Sequence, residues 1–271
     1  MSSHQSPAPQ EGDPFFRIVT TTDLRRRDLE ELAAGLCGAV QVPGVLTEAQ
    51  CERFMAAFDA AMMERYDPER YGLPIDRLGP ALNEHLSAAG LSPGYWPAAN
   101  AAEEYWRTVT GKTNIRASYW DYLCTTWGPQ IERAVLLDRD IFWGIVREAD
   151  AGTLIHWDEA VRETRRTPMQ KLPVAQLACN LFVAVPDEGG ETSIWRHRWQ
   201  PQDELHRVRF GYSRAAVDPH PYIRVTPAVG DAVFFDPRNF HRVEPAAGAG
   251  RRVSLSMFLG VTATGTLTVW S

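Results

Sequence analysis

No stretch of this chain approaches the roughly 18 consecutive apolar residues that a membrane span needs, because charges and prolines interrupt every apolar run. That argues against a membrane protein and for a soluble one. Cysteine is scarce: Cys37, Cys51, Cys124 and Cys179 stand far apart and form no C-x-x-C pair. Neither a zinc cluster nor a disulfide framework is suggested, and a reducing cytoplasm fits best. Positive charge is also thin, with 28 Lys and Arg against 34 Asp and Glu and a formal net charge of -6. The basic residues are scattered apart from short runs such as Arg25 to Arg27 and Arg165, Arg166, so nucleic-acid binding is not expected. Residues 1–14 lack the basic start and apolar stretch of a secretion signal and, being rich in Ser, Pro and Gln, read as a disordered tail. There is no internal repeat or low-complexity tract.

What is present is the composition of a globular protein, 271 residues with 44% hydrophobic and 23% charged, which points to a single domain over residues 15–271. Apolar spacing predicts amphipathic helices over Thr22 to Ala34 and Thr47 to Arg65, the second with Thr47 as N-cap and Phe54, Met55, Phe58 and Met62 on one stripe. Between them, residues 38–44 read as a short strand ending at a Pro-Gly pair. Residues 66–102 carry too many prolines and glycines for long elements. From Asn114 onward strands are predicted: 115–123, 141–147, 153–157, 175–185, 192–195, 222–225, 232–235, 241–244 and 252–261. The layout is a helical N-terminal part over about 15–110, then a β core over about 111–262. Many short strands between turns suggest a sandwich or jelly roll, α+β but mainly β.

The chemistry concentrates at Thr153-Leu-Ile-His156-Trp157-Asp158. On a strand, residues two apart face one way, so the imidazole of His156 and the carboxylate of Asp158 can converge on one ion. Two His and one carboxylate make the facial triad of non-haem Fe(II) oxygenases, which leaves positions open for co-substrate and O₂. H-x-D alone is a weak signal. A distant histidine is needed, and His241 supplies it, following the tight Gly230-Asp231 turn, the apolar run 232–235 and the Pro-containing turn at 236–239. Next comes the alternating run Gly250 to Phe258, on which Arg252 and Ser254 share a face. A guanidinium fork and a hydroxyl together suit the distal carboxylate of 2-oxoglutarate. Arg251 points the other way on this register; the opposite register would exchange the two arginines.

In this order and spacing, H-x-D, a distal His followed two residues later by Val, and R-x-S on the next strand resemble the Fe(II)/2-oxoglutarate-dependent oxygenases of the double-stranded β-helix fold. The resemblance covers roughly Asn114 to Val261 and is nearest to bacterial enzymes that hydroxylate or halogenate free amino acids and related small metabolites of natural product biosynthesis. It implies a cupin-like jelly roll with N-terminal helices packed on it. The implied cofactors are Fe(II) on His156, Asp158 and His241, with 2-oxoglutarate and O₂ as co-substrates. The implied reaction couples decarboxylation of 2-oxoglutarate to succinate and CO₂ with hydroxylation of an unactivated C–H bond. Gly189-Gly190-Glu191 looks like a turn many members carry, which would aim Thr192, and Asn180 in the strand before it, toward 2-oxoglutarate; Trp143 is a further candidate there. Halogenases of the family replace the metal carboxylate by Gly or Ala, and here Asp158 retains it. The long interval from His156 to His241 departs from compact members, so 159–172 and 196–219 read as insertions over the mouth of the barrel.

For the substrate, Arg116 on the first core strand, Glu159 and Trp270 are candidates, an Arg and a Glu to grip the carboxylate and ammonium of an amino acid and an indole as wall. Surface ion pairs and core packing explain each of the three as well. A small-molecule substrate is expected, with neither nucleic acid nor membrane as partner; oligomeric state is left open, a homodimer being one option. Two other readings stay open. One is a jelly-roll metal-binding protein without oxygenase activity; the other is an oxygenase that desaturates or cyclises.

Overall fold

A computed structural model describes residues 13–58, 63–109, 114–165 and 167–271. Most of the expected tail, residues 59–62 with Met62, and Arg166 therefore lie outside the described residues. Asp13 is described, and its carboxylate pairs with Arg196.

The architecture is the expected jelly roll with helices on one side. Among the described residues, ten strands form one sheet whose path runs Ile18–Thr20, Ala39–Val42, Ala232–Phe235, Pro173–Ala184, Val253–Thr262, Ile145–Glu148, Asp76–Leu78 and Glu64–Arg65. Leu267–Trp270 also pairs with Val253–Thr262 and carries Ile131–Arg133 on its far edge. A second sheet has Thr192–Arg198 between Tyr222–Val225 and Asn239–Val243. Where the two pack, Ile194 and Val225 of the small sheet meet Ala178, Phe182, Val233 and Phe235 of the large one. The other face of the large sheet is covered by helices, and Leu29, Leu32, Cys51, Phe54, Tyr119 and Leu123 join one core with Leu177, Leu181 and Leu255.

Local chemistry explains the helix starts. Helix Glu48–Ala57 begins at Thr47, whose hydroxyl accepts from the Gln50 amide at 3.3 Å while the Gln50 side chain accepts from the Thr47 amide at 2.9 Å. Helix Arg26–Ala33 buries Leu29 and Leu32. The expected strand over 115–123 is instead a helix, Ile115–Trp127. Its aromatic and β-branched content looks strand-like, yet Ile115, Tyr119, Leu123 and Trp127 recur every four residues and are all buried, a helical stripe, and Asn114 caps it by accepting from the Ala117 amide at 2.9 Å. The region 66–102, expected to hold only short elements, contributes the start of helix Tyr95–Val109.

Candidate active site

The triad is assembled by the edge of the small sheet. His156 and His241 form an isolated antiparallel bridge with reciprocal amide-to-carbonyl bonds, His156 N to His241 O at 2.9 Å and His241 N to His156 O at 2.8 Å. Residues so paired carry their side chains on the same face, which brings the two rings to 4.3 Å between centroids. The Asp158 amide donates to the Pro237 carbonyl at 2.9 Å, holding the carboxylate beside both rings. Its Oδ2 lies 3.8 Å from His156 Nε2 and 3.5 Å from His241 Nε2, and ligand atoms of the three residues all fall within 4.8 Å of one another. The sequence placed His156 on a strand over 153–157; only the bridge residues Ile155 and His156 pair.

Each imidazole is oriented from behind. Nδ1 of His156 donates to the Leu154 carbonyl at 2.8 Å, and Nδ1 of His241 donates to the Asn239 carbonyl at 2.9 Å. That fixes the tautomer and leaves each Nε2 lone pair facing Asp158, the arrangement a metal ligand needs. Burial, and then the neighbouring His241, push the His156 imidazole down to about 4, so it is neutral at physiological pH. Burial works to raise the Asp158 carboxyl, but its contacts with the His241 and His156 rings and the positive charge of Arg147 outweigh it and hold the group below its usual range. Two imidazole nitrogens and one carboxylate in a facial set suit Fe(II) and leave coordination positions free.

A single cavity joins the triad to the expected 2-oxoglutarate residues: Asn180, Thr192, Arg252 and Ser254 all line it together with His156, Asp158 and His241. The pairing of Asn180 with Ser256 fixes which face of Val253–Thr262 looks inward, and Arg252, Ser254 and Ser256 fall on it by alternation. Arg251 takes the opposite face and pairs with Glu148. The Arg252 guanidinium is 3% exposed; Nε donates to the Gly190 carbonyl at 2.8 Å, Nη2 reaches Thr192 Oγ1 at 3.4 Å, and the plane lies 5.0 Å from the Phe182 ring centre. Among the described residues no carboxylate lies within 4.0 Å of it, and burial pushes it down to about 10. Asp150, which accepts from the Arg252 backbone amide at 2.6 Å, attracts the guanidinium without pairing with it, and burial still outweighs that attraction, so the site is prepared for an anion. Gly190 and its neighbour Gly189 sit at φ +72° and +77°, and a Cβ on Gly189 would meet the Pro245 carbonyl at 2.1 Å; the paired glycines therefore serve the turn that presents the Gly190 carbonyl to Arg252.

Of the substrate candidates, the cavity takes in only Trp270. Arg116 lies on helix Ile115–Trp127, where it pairs with Glu103 at 2.8 Å and stacks 4.6 Å from the Trp143 ring centre. Trp143 packs against Trp120, with ring centres 5.1 Å apart, so both Arg116 and Trp143 line a separate surface recess rather than the triad cavity. A left-handed Gly144 at φ +76° stops the expected strand from reaching back to Trp143. Glu159 precedes the short helix Ala160–Glu163, lies 3.5 Å from Arg162 and is not among the cavity residues; Glu163, one turn later, is. Sequence reasoning also missed Tyr66, Tyr71, Arg147 and Phe210 in the cavity wall. For Arg147 a signal existed, a charge directly after the apolar pair Ile145-Val146 on an expected strand.

The chain is 38% identical, over 94% of its length and 96% of the relative's, to the L-gamma-glutamyl-L-propargylglycine hydroxylase of Streptantibioticus cattleyicolor. It belongs to the Fe(II)/2-oxoglutarate-dependent oxygenases. A family model described as the carrier-protein-independent halogenase WelO5 matches residues 167–270 of the oxygenase. A second relative, Leucinostatins biosynthesis cluster protein S of Purpureocillium lilacinum, is 27% identical over 45% of this chain and 52% of its own. Among solved structures, an N-substituted L-amino acid dioxygenase from Burkholderia ambifaria, in complex with alpha-KG, superposes with a TM-score of 0.57 at 15% identity, covering 90% of each chain, which shows the shared fold. No described helix of the oxygenase is long and apolar enough to cross a membrane.

Proposed function

We propose that this oxygenase hydroxylates an unactivated C–H bond of a small metabolite, an amino acid or a derivative of one, in natural product biosynthesis within the cytoplasm, and that residues 15–271 act as one domain. His156, Asp158 and His241 hold Fe(II), and Arg252, Ser254 and Thr192 take the distal carboxylate of 2-oxoglutarate, with Asn180 beside it. When bound, the metal and co-substrate supply the oxidising chemistry, activation of O₂ with release of succinate and CO₂. The chain's own part is positional. The Nδ1 bonds to Leu154 and Asn239 keep both Nε2 atoms aimed at one point, and Arg252 fixes which way the diacid lies. The apolar wall of Phe210, Phe235, Phe258 and Trp270 excludes water from the reacting carbon. Asp158 favours hydroxylation over halogenation, because its carboxylate fills the coordination position a halide would need.

The observation that carries this reading is the buried Arg252 guanidinium, with no described carboxylate within 4.0 Å of it and only Asp150 attracting it from further off, in the cavity that holds the triad. A purely structural metal site has no use for it. Anaerobic titration of the Fe(II) protein with 2-oxoglutarate should develop the weak visible charge-transfer band of the chelate, and air should then yield succinate slowly without substrate. Absence of both band and succinate refutes the assignment.

A further inference from the structure

Arg147 is a second guanidinium in the same cavity, and Arg252 does not explain it. It lies on Ile145–Glu148, directly opposite Ser254 on one side and Arg77 on the other, so its side chain shares the inward face with Ser254. Arg77 is neutralised, 2.6 Å from Glu84 and 3.1 Å from Glu64. Arg147 is not: among the described residues no carboxylate lies within 4.0 Å, and its one hydrogen bond runs from Nε to the Tyr66 hydroxyl at 3.0 Å. Beside it in the cavity wall is Tyr71, 8% exposed, whose hydroxyl is buried without a hydrogen-bond partner, and Asn83, whose side-chain oxygen is in the same condition. The buried unpaired hydroxyl is costly, and the guanidinium, attracted by Asp158 only from beyond 4.0 Å, keeps donors free, so a ligand carboxylate satisfies both.

We propose that Arg147, with the Tyr71 hydroxyl, is the site for a carboxylate of the organic substrate. The inference rests on the oxygenase reading above. 2-Oxoglutarate has two carboxylates, one committed to the metal with the adjacent oxo group and one to Arg252, which leaves Arg147 for a third. Its partners also differ in origin. Gly190, Thr192 and Phe182 around Arg252 come from the two facing sheets or the turn between them, whereas Tyr66 and Tyr71 come from the stretch before the β core, Tyr71 at the end of the short helix Pro68–Tyr71. The substrate class is therefore a small carboxylic acid, an α-amino acid or a dipeptide with a free C-terminus.

The test uses the Fe(II) protein loaded with 2-oxoglutarate without oxygen, titrated calorimetrically with free L-amino acids and γ-glutamyl dipeptides, each as the C-terminal acid and as its carboxamide. Wild type should bind at least one acid about 10- to 100-fold more tightly than its amide, the range expected for charge-assisted hydrogen bonds. Arg147→Gln should lose that preference, Arg147→Lys should restore part of it, and the affinity of both variants for 2-oxoglutarate should stay within about threefold. Wild type that binds no acid, or binds acids and amides alike, overturns the proposal, and these two outcomes need no variant to fold. It is equally overturned if Arg147→Gln keeps the preference, or if that variant loses 2-oxoglutarate, since Arg147 then serves the co-substrate. Failure of wild type to bind 2-oxoglutarate is a different result, which sinks the oxygenase reading itself.

Discussion

Replacing Arg252 by Met separates a cation kept for a ligand from one kept for stability, because the two roles predict opposite thermal behaviour. Burial pushes the guanidinium from 12.5 down to about 10, so at neutral pH its charge costs the folded state on the order of 3 kcal/mol relative to the unfolded chain. The sign follows from the depressed folded value: the cost is fully present below about pH 10 and fades as pH rises toward 12.5. Against this, Met loses the bond to the Gly190 carbonyl, about 1 kcal/mol, and the Phe182 face, about 1–2 kcal/mol. The net change in the ligand-free protein is thus near zero, a shift of less than about 3 °C in Tm for a chain of this size. Breaking a buried arginine-carboxylate pair would instead cost about 3–5 kcal/mol. The ligand response carries the other half. In wild type, 2-oxoglutarate at a hundred times its Kd adds about 2.7 kcal/mol, or about 5–10 °C. The variant should show almost none of it. Thermal melts of Fe(II) protein without oxygen, with and without 2-oxoglutarate, read both quantities, and an Arg252→Met protein that melts many degrees lower yet keeps its ligand shift would refute the reasoning.

Three further outcomes follow from the same geometry. The metal-free protein should lose stability as pH falls from about 6.5 toward 4, because the unfolded chain protonates its histidine before the buried His156 does; the loss attributable to this group is on the order of 3 kcal/mol, and the urea midpoint of His156→Asn should fall less steeply over that window. Asp158→Ala removes an anionic ligand and should lower substrate-independent succinate formation at least about 100-fold while Arg252 keeps 2-oxoglutarate affinity within about tenfold, measured by calorimetry with the metal in excess. Arg116→Leu, outside the triad cavity, should leave the KM for 2-oxoglutarate within about twofold but lower stability by about 2 kcal/mol, less than a fully orphaned Glu103 would because Arg133 remains 3.1 Å from that carboxylate.

The parts of the site legible in the sequence are those whose position is set by strand alternation. His156, His241, Arg252 and Ser254 could be placed because a period of two fixes which residues share a face, and the ladder that sets the register of Val253–Thr262 against Pro173–Ala184 is long. Arg116 and Trp143 were misplaced by the same rule. The run 115–123 has the aromatic and β-branched content of a strand, and only its burial every fourth residue reveals a helix; Trp143 was assigned to a strand that Gly144 cuts short at φ +76°. What alternation cannot give is the wall built from outside the sheets. Tyr66 and Phe210 reach the cavity from loops and Tyr71 and Asn83 from the single-turn helices Pro68–Tyr71 and Leu82–His85, elements too short for a period to relate one residue to the next. The substrate-facing half is therefore hidden in sequence for the reason that makes it specific. The sheets must keep the metal and diacid geometry, while loops free of a ladder can present whatever groups a particular substrate requires. On this view the selectivity of the oxygenase resides in the loop and short-helix segments together with Arg147, a charged cavity side chain that the large sheet itself holds in register.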